Sequence, residues 1–134
     1  MSTAFLSLGS NLGDRAGFLE AAIAALRLLP GTTVTAVSGF HNTAPVGLPD
    51  QPDFLNAAVR LDTALSPHAL LGAALGIEAT MGRVREQQNG PRVIDIDLLL
   101  YDGLVLHTDE LTLPHPRMNE REFVLQPLRE VMAD

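Results

Sequence analysis

This chain predicts an α+β fold of the ferredoxin-like sandwich type, an antiparallel sheet covered by helices, on three observations. Hydrophobic spacing alternates between the strand period and the helix period in the order strand, helix, strand, strand, helix, strand. Two long stretches, residues 43–53 and 83–93, follow neither period and are rich in proline, glycine and polar residues, as binding loops are. The 134 residues suffice for one domain with a single core and no disulfide or structural metal.

Ala4, Leu6 and Leu8 share one face of the first strand, and Gly9 to Asp14 reads as a turn ending in a helix N-cap. From Arg15 to Leu29, Leu19, Ala22, Ile23, Leu26 and Leu29 recur at helical spacing until Pro30-Gly31 stops the element. Residues 33–42, rich in Thr and Val, predict a second strand, and the first long loop follows. Residues 54–63 alternate, with Leu55, Ala57, Val59 and Leu61 on one face and Phe54, Asn56, Ala58, Arg60 and Asp62 on the other. Ser66-Pro67 then opens a helix with Leu70, Leu71, Ala74, Ile77 and Met81 turned inward, ending near Gly82. Beyond the second long loop, residues 94–101 form a fourth strand with Ile94, Ile96, Leu98 and Leu100 on one face and Asp95 and Asp97 on the other. The remainder reads as a turn-rich segment and a short helix over 120–131 interrupted at Pro127.

Composition excludes several classes of function. There is no cysteine, hence no disulfide framework, thiolate zinc site or thiol nucleophile, and a reducing cytoplasm fits best. No apolar stretch approaches the ~20 residues that span a bilayer, and the N-terminus lacks a charged leader, so no membrane association is expected. A net charge of −7 disfavours nucleic acid as a partner, because counterion release needs a broad basic surface. All nine cationic side chains are arginine, which leaves no lysine for a Walker-type contact, and the Gly9–Gly13 spacing is not that of a P-loop. That turn is instead suited to letting the backbone approach a ligand or a neighbouring strand closely.

Cations are concentrated where the chemistry is expected. Arg83, Arg85, Arg92, Arg117 and Arg121 fall in one stretch with Asp95, Asp97 and His115. The two aspartates stand ~7 Å apart along the strand by backbone rise, and a pair so placed can hold one or two hard cations. Paired magnesium ions ~4 Å apart clamp phosphoryl groups in this way. An ordinary half-buried strand shows the same alternation. Here it follows Gly90-Pro91-Arg92 with Arg83 and Arg85 just upstream, which assigns the carboxylates to metal and the three arginines to phosphate. Arg15, Arg27, Arg60 and Arg129 read as solvated surface. His115, between two prolines, either donates to a phosphate oxygen or satisfies a turn carbonyl. Phe54 and Asn56, on the face away from the core, suit a flat ring held over an aromatic with an amide reading its polar edge, and Phe123 can close the other side. Either phenylalanine is equally suited to a core.

These segments resemble the hydroxymethyldihydropterin pyrophosphokinase family. The resemblance rests on Leu6-Ser7-Leu8-Gly9-Ser10-Asn11-Leu12-Gly13, Gln51-Pro52-Asp53-Phe54-Leu55-Asn56, Gly82-Arg83-Val84-Arg85, Gly90-Pro91-Arg92-Val93-Ile94-Asp95-Ile96-Asp97, Leu113-Pro114-His115-Pro116-Arg117-Met118 and Glu120-Arg121-Glu122-Phe123. It runs from end to end and implies a single pyrophosphokinase domain over 1–134 that moves pyrophosphate from ATP to 6-hydroxymethyl-7,8-dihydropterin in folate biosynthesis. By the resemblance, Asp95 and Asp97 bind two Mg2+, and Arg83, Arg85, Arg92, Leu98, Thr112, His115 and Arg121 contact ATP. Of these, Arg83 and Arg92 act in catalysis beside the aspartates. Thr43, Val46, Phe54, Asn56 and Phe123 hold the pterin, and the two long loops act as lids. The partners implied are small molecules only, and a monomer is expected. Where many relatives carry an aromatic residue before the glycine-proline-arginine, this chain has Asn89. The alternative is a non-catalytic pterin- or nucleotide-binding relative.

Overall fold

The structure is a computed structural model that describes residues 1–47, 50–83 and 91–132. In chain order the elements are β1 (Ser2–Ser10), α1 (Arg15–Arg27), β2 (Thr32–Val37), β3 (His41–Thr43), β4 (Phe54–Thr63) and α2 (Pro67–Thr80). They continue with β5 (Asp95–Tyr101), β6 (Leu106–His107), β7 (Thr112–Leu113), a 3-10 turn at Met118–Glu120 and α3 (Glu122–Met132). The main sheet has the order β2-β4-β1-β5 with β3 also on β4, and all its pairings are antiparallel, as the ferredoxin-like reading requires. The two long helices start where the sequence placed them. The Asp14 carboxylate accepts the Gly17 N–H at 3.0 Å, and Ser66 Oγ accepts the Ala69 N–H at 3.2 Å ahead of Pro67.

One face of the sheet builds the main core. Ala4, Leu6, Leu8, Ala57, Val59, Leu61, Ile96 and Leu98 meet Leu19, Ala22, Ile23 and Leu26 of α1 and Leu70, Ala74 and Ile77 of α2. The other face carries a smaller cluster, in which Ala58 and Leu99 pack against Met118, Val124, Leu128 and Val131. Residues Phe54, Asn56, Ser7, Gly9, Asp95 and Asp97 also belong to this second face, and α3 leaves their end of it uncovered. The candidate site occupies that opening.

Three local expectations are corrected. Residues 33–42 form two strands, because the chain between Val37, opposite Val59, and His41, opposite Asn56, is one residue longer than its partner. Ser38 bridges the bulge, its N–H donating to Ala58 O at 2.9 Å and its Oγ accepting the Ala58 N–H at 2.8 Å. In β5 the register slips so that Phe5 faces Leu100 while Leu6 faces Leu98. Leu99 and Leu100 therefore pack on the second cluster and Tyr101 returns to the main core, so Leu100 does not share a face with Ile94, Ile96 and Leu98. Finally, α3 runs unbroken through Pro127. Its missing N–H removes one helical bond in the middle of the helix, and the ring is buried in the sheet-facing stripe. Among the described residues no helix is long and apolar enough to cross a membrane.

Candidate active site

The register of the sheet places the site residues in two adjacent rows. Gly9 of the central strand β1 pairs with Asn56 on one side and Asp95 on the other, and Ser7 pairs with Ala58 and Asp97. An amide that can read a heterocycle and a carboxylate that can hold a metal are thus one strand-width away from the same glycine. A Cβ at Gly9 would lie 3.2 Å from Asn56 Oδ1 and 3.8 Å from the Phe54 ring, so the hydrogen side chain is what seats both groups. This is the close approach the Gly9–Gly13 turn suggested.

All five residues expected to hold a pterin line one cleft: Thr43, Val46, Phe54, Asn56 and Phe123, with Arg92, Asp95, Asp97 and Arg121 on its walls. Asn56 is 3% exposed and its Nδ2 donates to Thr43 Oγ1 at 2.6 Å, which fixes the amide orientation. Neither phenylalanine is a buried core residue. Arg92 lies over the Phe54 ring at 4.9 Å from its centroid, and Arg121 over Phe123 at 5.7 Å.

A second cavity lies on the far side of Asp97, which lines both. Leu98, Thr112 and His115 border it with Leu71, Leu75 and Leu111. The hairpin of β6 and β7, which the sequence reading left as turns, forms part of this wall. His115 Nδ1 accepts the Arg117 N–H at 3.3 Å, leaving Nε2 to carry the proton of the neutral ring. Burial, together with Arg121, holds His115 below the ordinary histidine range despite Asp95. The ring is a neutral donor at physiological pH.

Electrostatically the site is an acid pair inside a ring of arginines. Burial, then the charges of Asp95 and Glu78, push Asp97 up to about 7, with Arg121 opposing. Arg92 Nη1 is 3.7 Å from Asp95 Oδ2, and its Nε is buried with no hydrogen-bond partner among the described residues. Burial lowers the affinity of Arg92 for its proton, partly offset by Asp95, without discharging it.

Arg83, expected to grip phosphate, lies against a carboxylate. Its Nη1 donates to Asp95 Oδ1 at 2.8 Å and to Ile94 O at 2.9 Å, and its side chain, 9% exposed, lines neither cavity. It braces Asp95 from behind. Glu78, which sequence reasoning missed, stands on the far side of Arg83 at 3.8 Å from Nε. Its other oxygen accepts the N–H of Ile96, the residue between the two aspartates, at 2.6 Å. The available signal was a lone glutamate one step beyond Ile77 on the inward stripe of an otherwise apolar helix. Arg15, read as solvated, instead donates to Asn42 Oδ1 at 2.6 Å and Asp53 O at 3.0 Å, tying down the loop before Phe54. Arg85, Asn89 and most of the second long loop lie outside the described residues, as do positions 48 and 49 of the first.

The donor set fits a hard divalent ion of the magnesium type. Two carboxylates converge, no third His, Cys, Asp or Glu completes a protein cage among the described residues, and the raised Asp97 calls for a neighbouring positive charge. Magnesium is commonly held by one or two carboxylates with water and substrate phosphates completing its shell.

A ferredoxin-like sandwich with an aromatic slot beside an acid pair ringed by arginine has the groups that metal-assisted phosphoryl transfer uses. Residues 5–133 match the family model described as 7,8-dihydro-6-hydroxymethylpterin-pyrophosphokinase (HPPK). The 2-amino-4-hydroxy-6-hydroxymethyldihydropteridine pyrophosphokinase of Methylorubrum extorquens is 52% identical over 134 residues, 100% of this chain and 85% of that one. The protein of the same name from Bacillus subtilis is 48% identical over 128 residues, 96% of this chain and 77% of that one. Among solved structures, wild-type Plasmodium falciparum HPPK-DHPS with SDX-DHP aligns with a TM-score of 0.71 at 16% identity. That alignment covers 97% of this chain and 40% of the other, and it shows the shared fold. The chain belongs to the 7,8-dihydro-6-hydroxymethylpterin-pyrophosphokinase family.

Proposed function

We propose that this chain transfers the terminal pyrophosphoryl group of ATP to the hydroxymethyl oxygen of 6-hydroxymethyl-7,8-dihydropterin, giving AMP and the pterin diphosphate. The observation that carries this reading is the position of Asp97 on the wall shared by two cavities. One cavity has the aromatic and amide lining a pterin needs, and the other has an apolar floor for a purine with a neutral histidine donor at its edge.

In this reading the pterin stacks between Phe54 and Phe123, and Asn56, Thr43 and Val46 meet its edge. The alcohol oxygen attacks the β-phosphorus, the bond from that phosphorus to the α,β-bridging oxygen breaks, and AMP leaves. The departing hydroxyl proton passes to solvent or a phosphate oxygen. Such a transfer depends on alignment, charge neutralisation and exclusion of water more than on a strong base. Asp95 and Asp97 would hold the two Mg2+, whose chemistry is to screen the triphosphate charge and polarise the β-phosphorus. Arg92 and Arg121 supply the remaining positive charge, and His115 Nε2–H donates to a phosphate oxygen. Arg83 acts one step back, by fixing Asp95.

The test is formation of AMP from ATP and Mg2+ with and without the pterin alcohol, with the product identified by mass. AMP that depends on pterin, together with a pterin diphosphate, is expected. Release of ADP or phosphate instead would mean a hydrolase or simple kinase, and saturable pterin binding without turnover would mean a non-catalytic relative.

A further inference from the structure

Asn11 lies just past the end of β1 and is 1% exposed. Its Nδ2 donates to Gln51 Oε1 at 2.8 Å and to Pro52 O at 3.0 Å, on the segment that leads into Phe54. Its Oδ1 accepts the Arg92 N–H at 2.9 Å, and its own N–H donates to Arg92 O at 3.1 Å. Both amide hydrogens and the amide oxygen are thereby used, one arm on each side of the cleft. Only a primary amide on a short stem offers two donors and an acceptor at this spacing; aspartate has no donor and leucine has neither.

Resting on the pyrophosphokinase reading, we infer that Asn11 is the positioning residue that couples the pterin subsite to the nucleotide subsite. One arm is attached two residues before Phe54, the floor of the pterin slot. The other holds the main chain of Arg92, three residues before Asp95. A pterin that settles on Phe54 fixes residues 51–54. Through the Asn11 amide, that fixes the backbone from which Arg92 and Asp95 reach the phosphates. Because linkage is reciprocal, nucleotide bound at the arginines and aspartates tightens the pterin slot by the same factor. The physical carrier is one buried, fully satisfied amide, whose bonds cannot be exchanged for water without opening the site.

The experiment measures the affinity of 6-hydroxymethyl-7,8-dihydropterin by calorimetry with and without Mg2+ and an ATP analogue carrying a methylene between the α and β phosphates. That bridge blocks the bond that must break. The ratio of the two affinities is the coupling factor, and turnover of the unmodified enzyme with true ATP is measured in parallel. Asn11→Ala is expected to lower the coupling factor about tenfold, the loss of roughly one well-made buried hydrogen bond in net terms. Asn11→Asp keeps the arm to Arg92 and loses the donors to Gln51 and Pro52. It should weaken pterin binding while leaving binding of the analogue alone within about twofold of the parent.

A pin with only a structural role would lower melting temperature without moving the coupling factor, and that result overturns the inference. Should Asn11→Ala not fold, Gln51→Ala removes one arm's end from outside; a lowered coupling factor supports the inference and an unchanged one overturns it. A parent enzyme that turns over but shows no coupling also overturns it and leaves the function standing. A parent enzyme that makes no AMP overturns the pyrophosphokinase reading itself.

Discussion

Replacing Asp97 by asparagine should stabilise the metal-free protein while abolishing its activity, a combination that only a strained functional charge produces. Asp97 is pushed up to about 7 by burial, Asp95 and Glu78. Each tenfold change in proton affinity is worth about 1.4 kcal/mol, so holding this carboxylate ionised at pH 8 costs the fold about 4 kcal/mol at most. Water at its partly exposed edge reduces that to about 2 kcal/mol. The substituted amide keeps the shape and hydrogen-bonding capacity without the charge, so Asp97→Asn should raise the melting temperature in EDTA at pH 8 by roughly 6–10 °C.

The pH dependence supplies the sign. An acid whose folded proton affinity exceeds its unfolded value binds more protons in the folded state between about pH 4 and 7. Stability from Asp97 is therefore greatest at the acid end, falls as pH rises through that window, and levels off above it. The asparagine variant should lack this slope. Added Mg2+ should stabilise the parent with release of a proton near pH 7 and should stabilise the variant far less. Turnover should fall by about 10³ or more, from loss of a charge aimed at the phosphates. Differential scanning calorimetry across pH, with and without Mg2+, reads all of this. A variant less stable than the parent at pH 8 without metal, or one with the same pH slope, would refute the argument.

Gly9→Ala puts a methyl 3.2 Å from Asn56 Oδ1, so the pterin KM should rise several-fold with little change in the ATP KM; steady-state kinetics with each substrate varied decides this. Arg92→Ala uncovers the Phe54 face while removing positive charge beside Asp95. Turnover should drop by about 10² or more, whereas pterin binding without nucleotide should be equal or tighter by calorimetry. Glu78→Gln removes the buried charge behind Arg83 and turns that arginine wholly onto Asp95. A loss of about 1–3 kcal/mol in urea unfolding is expected, with a rise in the Mg2+ concentration for half-maximal turnover. Unchanged metal dependence in a destabilised Glu78→Gln would confine that residue to the fold.

Much of the molecule is legible without coordinates, because period-two and helical spacing are local properties. The caps at Asp14 and Ser66, the alternation of β4 and the separation of Asp95 and Asp97 from Ile94 and Ile96 all follow from such patterns. The candidate arginines and aspartates stand out because charge, glycine and proline cluster where apolar periodicity stops, whereas Thr43, Val46, Leu98 and Thr112 are candidates only through the family resemblance. The two misreadings in the sheet have a common cause. A bulge at Ser38 or Leu99 costs one residue of register, and register depends on the partner strand, which no local pattern encodes.

The sequence by itself determined the fold class, the acid pair and the arginine cluster, whereas Phe54 and Phe123, far apart in the chain, were brought to one cleft only by the fold. Tertiary structure alone decided which groups touch. It set Gly9 between Asn56 and Asp95, placed Arg83 against the Asp95 carboxylate, buried Glu78 beside it, and joined two distant loops through Asn11. Those contacts are fixed by how sheet rows align and which faces α2 and α3 cover. Their energies come from burial, which exists only once the chain has closed on itself.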